Sequence, residues 1–367
     1  MTIVPGSPEE LAQCLAEAGS RNQQITLLGH CTKGRMGGVI APSDVTISTA
    51  GLNQVLEYEP RDLTVSAGAG ITFCDLSRVL GEHRQMIPLD PPFYERATIG
   101  GMVAVNTSGP RRRLYGSARD MVIGMTFATL EGKLIRTGGM VVKNVAGLDI
   151  GKLMIGSFGT LAAIATLNFR VYPMPAGTRT FVQEFDQVAD AMSARDAVLK
   201  GRLQPAAMDI VKSGGIYQLA IQAGGSAAVL DRYSRELLHM RVLEGAEEDA
   251  RWRGIREMTP QFLRTRENGA VLRVSCLLSE VGPVLEALPA QALARAGSGV
   301  CYGYFEQAGE LQYPPVGTSV VEFASPEYRE KAELWPRPGN DFAMMKKIKQ
   351  MFDPQSLLNR GRLYGRI

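Results

Sequence analysis

This sequence of 367 residues has few histidines, no closely spaced cysteine pair and nearly equal numbers of acidic and basic residues. It has three histidines, and none of its five cysteines forms a Cys-x-x-Cys pair, so neither an iron–sulfur cluster nor a structural zinc site is expected. The formal net charge of +3 excludes the strongly basic surface typical of nucleic-acid-binding proteins. No apolar run is long enough to span a bilayer and no signal peptide is evident, so we expect a cytoplasmic protein.

Composition and length indicate a globular protein with more than one domain. Hydrophobic residues make up 45% and charged residues 21%, which is typical of a chain that buries a core. The length exceeds the usual size of one domain. Glycine is abundant, at 40 residues, and many glycines lie between residues 100 and 159.

Residues 97–116 combine four glycines with small hydroxyl and amide side chains in an otherwise largely apolar stretch. Glycine lets a backbone approach a ligand closely because it has no side chain. Bare N–H groups and small polar side chains suit a diphosphate. We therefore expect this stretch to form a wall around a large, partly charged cofactor.

A second polar loop, residues 29–33, opens on Gly29 and follows a predicted buried strand at residues 25–28. Its backbone N–H groups could cradle a diphosphate. Two separate glycine-rich walls predict one ligand held between them.

A partial Rossmann fingerprint occurs at residues 68–73, between a predicted strand and a predicted helix. Its third glycine is replaced by Phe73, whose ring would prevent the close helix–strand contact that this glycine permits. The preceding strands belong to hairpins and not to a βαβ unit. We interpret the segment as a tight strand-to-helix turn and not as a nucleotide site.

Local patterns predict the elements of the first half. A capping box and a proline after Ser7 indicate a helix that ends at Gly19. Other segments show strand, hairpin or helix signals: hairpins at 55–58 with 63–67 and at 121–130 with 133–136, a short helix at 148–155, and a long strand at 161–172. Pro173 and Pro175 mark a domain boundary.

The second half alternates predicted strands and amphipathic helices, which favours an α+β layer with helices packed on one sheet face. The predicted strands are 180–185, 208–211, 216–222, 271–277 and 300–304, and the predicted helices are 188–199, 227–240 and 283–296. A last helix is predicted from residue 340, before Phe352-Asp353-Pro354.

The order of these segments resembles the FAD-binding domain of the vanillyl-alcohol oxidase/para-cresol methylhydroxylase (PCMH) superfamily. The resemblance is carried by the loop at 29–33, Thr98-Ile-Gly-Gly101, Asn106-Thr-Ser-Gly109, Tyr115-Gly116, and the turn and strand at 156–164. It implies FAD as the cofactor and an α+β fold in which a two-subdomain FAD-binding domain precedes an α+β cap domain. The C-terminal helix is then expected to return to the FAD domain.

The resemblance also implies a set of cofactor-binding residues. They are Gly29, His30, Cys31, Thr32, Lys33, Pro92, Thr98, Gly100, Gly101, Asn106, Ser108, Gly109, Tyr115, Gly116, Gly159, Ile164 and Asn359. The expected domains are residues 1–175 for FAD binding, 176–335 for the cap, and 336–367 for the returning segment. No catalytic residue is assigned.

Within that superfamily the chain is most similar to the FAD-binding subunits of bacterial glycolate oxidases. The segments that carry this similarity are 86–92, 109–112, 142–147 and 352–354, whereas Asn359-Arg-Gly361 departs from the usual Asn-Pro-Gly. The similarity implies a flavoprotein that takes part in oxidising a small 2-hydroxy acid, glycolate, to the 2-oxo acid glyoxylate. Its flavin is expected to relay electrons.

The implied partners are a larger flavoprotein subunit and an iron–sulfur subunit. Larger catalytic relatives carry paired histidines and an acid that hold a metal, whereas His30, His83 and His239 are not paired at ligand spacing, so no metal site is expected here. Contact with the inner face of the cell membrane is expected only through these partners.

Two alternatives stay open at this point. The chain could be a self-sufficient FAD-dependent oxidoreductase acting on another small substrate, or a flavin-free assembly subunit. Some relatives attach flavin covalently through a histidine near this loop, and for His30 we favour a non-covalent position near the phosphates or solvent.

Overall fold

The computed structural model describes residues 2–140 and 149–367. Its described residues form two compact units. The first comprises Met1–Ser108, Ser117–Pro173 and Pro338–Ile367, and the second comprises Gly109–Gly116 and Met174–Arg337. The motif at residues 142–147 lies outside the described residues. No helix in the described ranges has both the length and the apolar character of a membrane span.

The strands are numbered in chain order. They are β1 (Thr2–Ile3), β2 (Ile25–Leu28), β3 (Val45–Ser48), β4 (Val55–Glu59), β5 (Thr64–Gly68), β6 (Gln85–Met86), β7 (Val122–Ala128), β8 (Leu134–Gly138), β9 (Ala163–Arg170), β10 (Tyr172–Pro173), β11 (Gly177–Phe185), β12 (Ala207–Ser213), β13 (Ile216–Gly225), β14 (Arg241–Leu243), β15 (Ala270–Ser275), β16 (Gln291–Arg295), β17 (Val300–Phe305) and β18 (Thr318–Phe323).

The α-helices are numbered in the same way. They are α1 (Pro8–Ser20), α2 (Phe73–Gly81), α3 (Ile99–Ala104), α4 (Arg112–Tyr115), α5 (Ala118–Met121), α6 (Gly151–Met154), α7 (Val188–Lys200), α8 (Ala227–Glu236), α9 (Gly245–Arg256), α10 (Met258–Thr265), α11 (Val281–Ala287), α12 (Pro326–Lys331) and α13 (Phe342–Phe352).

The first unit contains a parallel sheet of order β1-β3-β2 and an antiparallel sheet of order β4-β5-β9-β7-β8. Both predicted hairpins are confirmed, as β4–β5 and β7–β8. Helix α1 begins as predicted, because the Ser7 hydroxyl accepts a hydrogen bond from the Glu10 N–H at 3.1 Å. Leu11 and Leu15 of this helix share one buried cluster with Ile25 and Leu358.

The interpretation of residues 68–73 as a tight turn is confirmed. Strand β5 has antiparallel neighbours on both sides, so no βαβ unit exists there. A Cβ at Gly70 would lie 2.1 Å from the Thr49 carbonyl oxygen, and Phe73 is buried in the core. The glycine therefore serves the approach of two protein segments.

The second unit is built on an antiparallel sheet of order β14-β11-β13-β12-β16-β17-β15-β18. The predicted helix at 283–296 is wrong in its second half, because α11 ends at Ala287 and Gln291–Arg295 is strand β16. Alanine favours helices locally, but Ala292, Leu293 and Ala294 are buried between β12 and β17, and tertiary packing overrides that propensity. Helices α9 and α10 and strand β18 were not predicted.

Helices lie on both sheet faces, which corrects the expectation of one covered face. Lys212 of β12 donates to backbone carbonyls of α11 and the residues after it, whereas Glu248 of α9 bonds to Thr180 on the opposite face. The segment Gly109–Gly116 also groups with this unit. The three predicted domain ranges stay predictions.

The C-terminal helix α13 belongs to the first unit, as expected. The buried Lys349 ammonium donates to Asp353 Oδ2 at 2.5 Å and to the Thr160 carbonyl at 2.7 Å. Asp353, fully buried, also accepts the N–H groups of Leu357 and Leu358. Burial lowers the pKa of Lys349, and the Asp353 carboxylate opposes that effect.

We expect Lys349→Met to destabilise the protein by about 3–5 kcal/mol, because it leaves a buried carboxylate without its cation. Urea denaturation followed by circular dichroism measures this loss. Lys347→Met is the matched control, since Lys347 is exposed on the same helix. Equal denaturation midpoints for the two variants would contradict the assigned role of the pair.

Candidate functional site

The loop that follows β2 has an unusual backbone. Cys31 has a φ of 53°, in the left-handed region that residues other than glycine rarely adopt. Within the described residues, the backbone N–H groups of His30, Cys31 and Thr32 have no hydrogen-bond acceptor in reach. These N–H groups make the loop chemically suited to bind an anion.

Thr98 and Gly29 bring the two predicted walls together. The Thr98 hydroxyl caps α3 by accepting a hydrogen bond from the Gly101 N–H at 3.2 Å. A Cβ at Gly29 would lie 2.4 Å from that same Oγ1 atom. A glycine is therefore required at position 29 for the loop to reach the start of α3.

Gly100 and Gly101 differ in what surrounds them. A Cβ at Gly100 would lie 2.7 Å from Ala69 Cβ, so this glycine allows α3 to pack against the segment after β5. A Cβ at Gly101 would meet only Thr98 Oγ1, at 3.0 Å, within the described residues. Gly101, and not Gly100, thus has open space beside it.

The loop before α3 lines the same region. Asp90 and Phe93, on either side of Pro92, have φ values of 43° and 61°. The buried Lys33 ammonium lies 5.7 Å from the centre of the Phe93 ring, a cation–π contact. His30 is exposed, with Nδ1 3.1 Å from the Arg96 carbonyl oxygen.

A carboxylate also lies near this loop. The hydrogen bond that Thr72 donates to Asp75 lowers the pKa of the Asp75 carboxyl, and the charges of Arg78 and His30 act in the same direction. Thr72 in turn forms an isolated β-bridge with Thr98.

Asn106 and Thr107 follow α3, whose C-terminal residues are hydrogen-bonded to the turn at residues 156–160. Asn106 has a φ of 52°, and the next turn is held by hydrogen bonds from Gly156 N to Val103 O and from Phe158 N to Ala104 O. Thr107 Oγ1 is buried and has no hydrogen-bond partner among the described residues. A buried polar atom in this condition is costly unless a bound molecule or water satisfies it.

The C-terminal segment holds both the loop and the turn. Asn359 accepts a hydrogen bond from the Leu27 N–H at 2.7 Å and donates Nδ2 to the carbonyls of Leu27 and Phe158. Gly159 has a φ of 70°, and a Cβ there would lie 2.8 Å from Asn359 Nδ2. The contacts of Asn359 are thus with backbone, and cofactor contact stays a prediction.

Arg362 was not predicted from the sequence. Its guanidinium donates to the carbonyls of Lys33, Gly34 and Gly38, and so connects the C-terminal segment to the end of the loop and the residues after it. A Cβ at Gly38 would lie 1.9 Å from the Gly361 carbonyl oxygen, so the tail crosses directly over the loop. No sequence signal indicates these contacts, because the partners are more than 320 residues apart.

The remaining candidate residues lie elsewhere in the chain. Ile164 is in β9, opposite Phe127 at an irregularity in the ladder. Ser108 ends a segment of the first unit, whereas Gly109, Tyr115 and Gly116 group with the second. Gly116 combines φ 91° with ψ −159°, a conformation that only glycine adopts readily. Among the described residues, no group of three or more His, Cys, Asp or Glu side chains is placed to hold a metal ion.

Comparisons with known proteins identify the family of this chain. The family described as FAD binding domain matches residues 1–138, and the one described as FAD linked oxidases, C-terminal domain, matches residues 330–363. Glycolate oxidase subunit GlcE of Escherichia coli is 32% identical over 320 residues, which are 85% of each chain. This chain belongs to the FAD-linked oxidase family, and its cofactor is FAD.

Other relatives match with lower identity. Glycolate oxidase subunit GlcD of Bacillus subtilis is 27% identical over 57% of this chain and 44% of its own length. D-lactate dehydrogenase of Archaeoglobus fulgidus is 24% identical over 100% of this chain and 92% of its own. The solved structure of alkyldihydroxyacetonephosphate synthase matches 98% of this chain and 75% of its own, with a TM-score of 0.73 and 18% identity. That likeness confirms the PCMH-type fold.

The residues present fit FAD. The N–H groups of the loop at residues 29–33 suit a diphosphate, and the space at Gly101 leaves the start of α3 accessible. The buried Thr107 Oγ1, which has no hydrogen-bond partner among the described residues, could bond to the cofactor. Lys33 adds a cation to the same loop.

We expect Gly29→Ala to weaken FAD binding by about tenfold or more, because the new methyl group displaces Thr98 and with it the start of α3. Fluorescence titration of apoprotein with FAD measures the affinity. Gly139→Ala is the control, since a Cβ at Gly139 meets no described atom within 4 Å. Unchanged affinity in Gly29→Ala would refute the role given to this glycine.

We also expect Arg362→Ala to weaken FAD binding, because each hydrogen bond from a charged donor contributes about 1.5–3 kcal/mol and three hold the loop. The same titration tests it, with Arg360→Ala as a control at an exposed neighbouring side chain. The prediction fails if both variants bind FAD as the parent protein does.

Proposed function

We propose that this chain is the FAD-binding subunit of a glycolate oxidase-type complex that oxidises small 2-hydroxy acids, glycolate to glyoxylate, and that its flavin relays electrons. The similarity to GlcE over 85% of both chains carries this proposal, because it spans the FAD-binding part and most of the rest. The loop geometry supports it, since the segments expected to hold a diphosphate lie together.

The cofactor-contacting residues are part of the proposal. The N–H groups of Gly29 to Thr32 and the Lys33 side chain would hold the diphosphate. Thr98 and Gly101 would form the opposite wall, and Asn106 to Gly109 the wall after α3. Further contacts would come from the other residues that the sequence suggested: Pro92, Gly100, Tyr115, Gly116, Gly159, Ile164 and Asn359.

Bound FAD would supply a carrier that accepts the two electrons of the oxidation and passes them on. The chain itself binds and orients it. Arg362 and Asn359 would fix the loop, and Lys349, which donates to the Thr160 carbonyl, would fix the turn at residues 156–160. The proton acceptor for the hydroxyl is not assigned to any residue.

The proposed partners are a larger flavoprotein subunit and an iron–sulfur subunit. Two relatives carry names of different subunits of glycolate oxidase, which supports a multi-subunit assembly. Membrane contact, in this proposal, occurs only through these partners.

A second candidate is a self-sufficient FAD-dependent dehydrogenase of 2-hydroxy acids. The observation that favours it is the match to a D-lactate dehydrogenase over 100% of this chain and 92% of that enzyme. In this case the chain would oxidise its substrate without other subunits.

Absorbance spectroscopy of the purified full chain, alone and after co-purification with tagged partners, tests both candidates. The relay role predicts flavin bands that bleach with glycolate only in the assembled complex. Bleaching by glycolate or D-lactate in the isolated chain would establish the second candidate instead. A colourless protein that takes up no added FAD would overturn both and leave an assembly subunit.

A further inference from the structure

Two cysteines of the second unit lie on neighbouring strands. Val274 of β15 is directly opposite Cys301 of β17. The Cys276 N–H donates to the Gly299 carbonyl at 2.8 Å, so the same antiparallel register continues past the end of β15. Cys276 and Cys301 are therefore diagonal neighbours, and because side chains alternate along a strand, both lie on the same face of the sheet.

This face is the apolar face of the sheet. Cys301 lies opposite Ala294 of β16 on its other side, and helix α11 packs against β16 and β17. Arg295 and Val300, which are paired with each other, alternate with these residues and point the other way. The buried ion pair of Arg295 with Asp209 therefore belongs to the opposite face, and the cysteines are separate from it.

The two thiols differ in their access to solvent. Cys301 is fully buried, whereas Cys276 is half-buried and begins the loop after β15. Leu277, the next residue, is 67% exposed. A Cβ at Gly317, just before β18, would lie 3.1 Å from Cys276 Cβ, so the absence of a side chain there leaves room beside this thiol. A small oxidant therefore reaches Cys276 and not Cys301.

A hydrogen bond joins the two thiols. It lowers the pKa of Cys276, and the charge of the nearby Arg195 acts in the same direction, whereas burial and the charge of Glu280 oppose it. The same hydrogen bond, together with burial, raises the pKa of Cys301. Cys276 is therefore the thiol that loses its proton more readily, and the thiolate is the form that attacks an oxidant.

We propose that Cys276 is a site of reversible oxidation by hydrogen peroxide and that Cys301 is the resolving thiol that closes a disulfide with it. Cysteines that respond to oxidants combine a favoured thiolate, access to solvent and a neighbouring thiol, and this pair has all three features. The modification site goes beyond the proposed function and does not rest on it.

The chemistry takes two steps. In the first, the Cys276 thiolate attacks one oxygen of hydrogen peroxide, so that an S–O bond forms, the O–O bond breaks, and the hydroxide that leaves takes up the thiol proton to become water. In the second, the Cys301 sulfur attacks the sulfenic acid, so that an S–S bond forms, the S–O bond breaks, and a second water leaves with the Cys301 proton. Two thiols lose two electrons and two protons, and one peroxide becomes two waters.

Closure of the disulfide requires a small movement of the loop. The Cα atoms of diagonal neighbours in a sheet are about 7–8 Å apart, whereas those of a disulfide are usually about 4.4–6.8 Å apart. Because β15 ends at Ser275, Cys276 is free to move by about 1 Å toward β17 while the ladder stays intact. The loop after the strand thus provides the movement that two positions within a ladder would lack.

Peroxide treatment of the full chain tests the site, followed by alkylation of the remaining thiols, digestion and mass spectrometry without reductant. Trypsin cleaves after Arg295, so the two cysteines fall in separate peptides. We expect one disulfide, joining the peptide of Cys276 to that of Cys301, and its reversal by dithiothreitol. Cys276 should react about tenfold faster than Cys74, a half-buried cysteine of the first unit.

Three variants separate the roles of the two thiols. Cys301→Ala should stop at the sulfenic acid, which dimedone traps at Cys276. Cys276→Ser should leave Cys301 unmodified, because Cys301 is buried. Cys74→Ser is the matched control and should form the disulfide as the parent chain does. Thermal melts show that each variant is folded, and the result on the parent chain depends on none of them.

Two results would overturn the proposal. One is a parent chain in which excess peroxide produces no disulfide between Cys276 and Cys301. The other is a Cys276→Ser protein in which Cys301 is oxidised as fast as in the parent chain, because the attack would then not begin at Cys276.

Discussion

The return of the C-terminal segment to the start of the chain is the constraint on which the candidate FAD site depends. Asn359 bonds to the strand that carries the loop and also to the turn beside it, so one amide sets their separation. Lys349 and Asp353 hold the segment in place from within the core. Because these groups are buried and charged or fully hydrogen-bonded, the arrangement has few alternatives of similar energy.

Glycine has two different roles in the first unit. At positions 29, 38, 70 and 100 its missing side chain lets one protein segment approach another, as the contacts of a Cβ show. At Gly101, in contrast, a Cβ would meet only Thr98 Oγ1 among the described residues. A glycine-rich stretch can therefore indicate close packing of two backbone segments or space for a ligand, and the sequence pattern alone does not distinguish the two.

The two units place their polar groups in different surroundings. In the first, a loop presents unpaired N–H groups beside a buried lysine. In the second, a sheet face buries an ion pair and further guanidinium donors while its other face forms an ordinary apolar core. On the sheet face the polar groups are kept away from water, which strengthens the interactions among them.

The sequence by itself determined both hairpins and the start of α1, because turns and caps depend on residues near one another in the chain, and its resemblance to a known family indicated the class of cofactor. It misassigned residues 291–295 as helix, since alanine-rich segments follow local propensity until a sheet surrounds them. The contacts of Arg362 and Asn359 and the Arg295–Asp209 ion pair were decided by tertiary structure alone, because the partners are tens to hundreds of residues apart. Hydrogen bonds across such separations depend on the folded path of the chain, which no local pattern encodes.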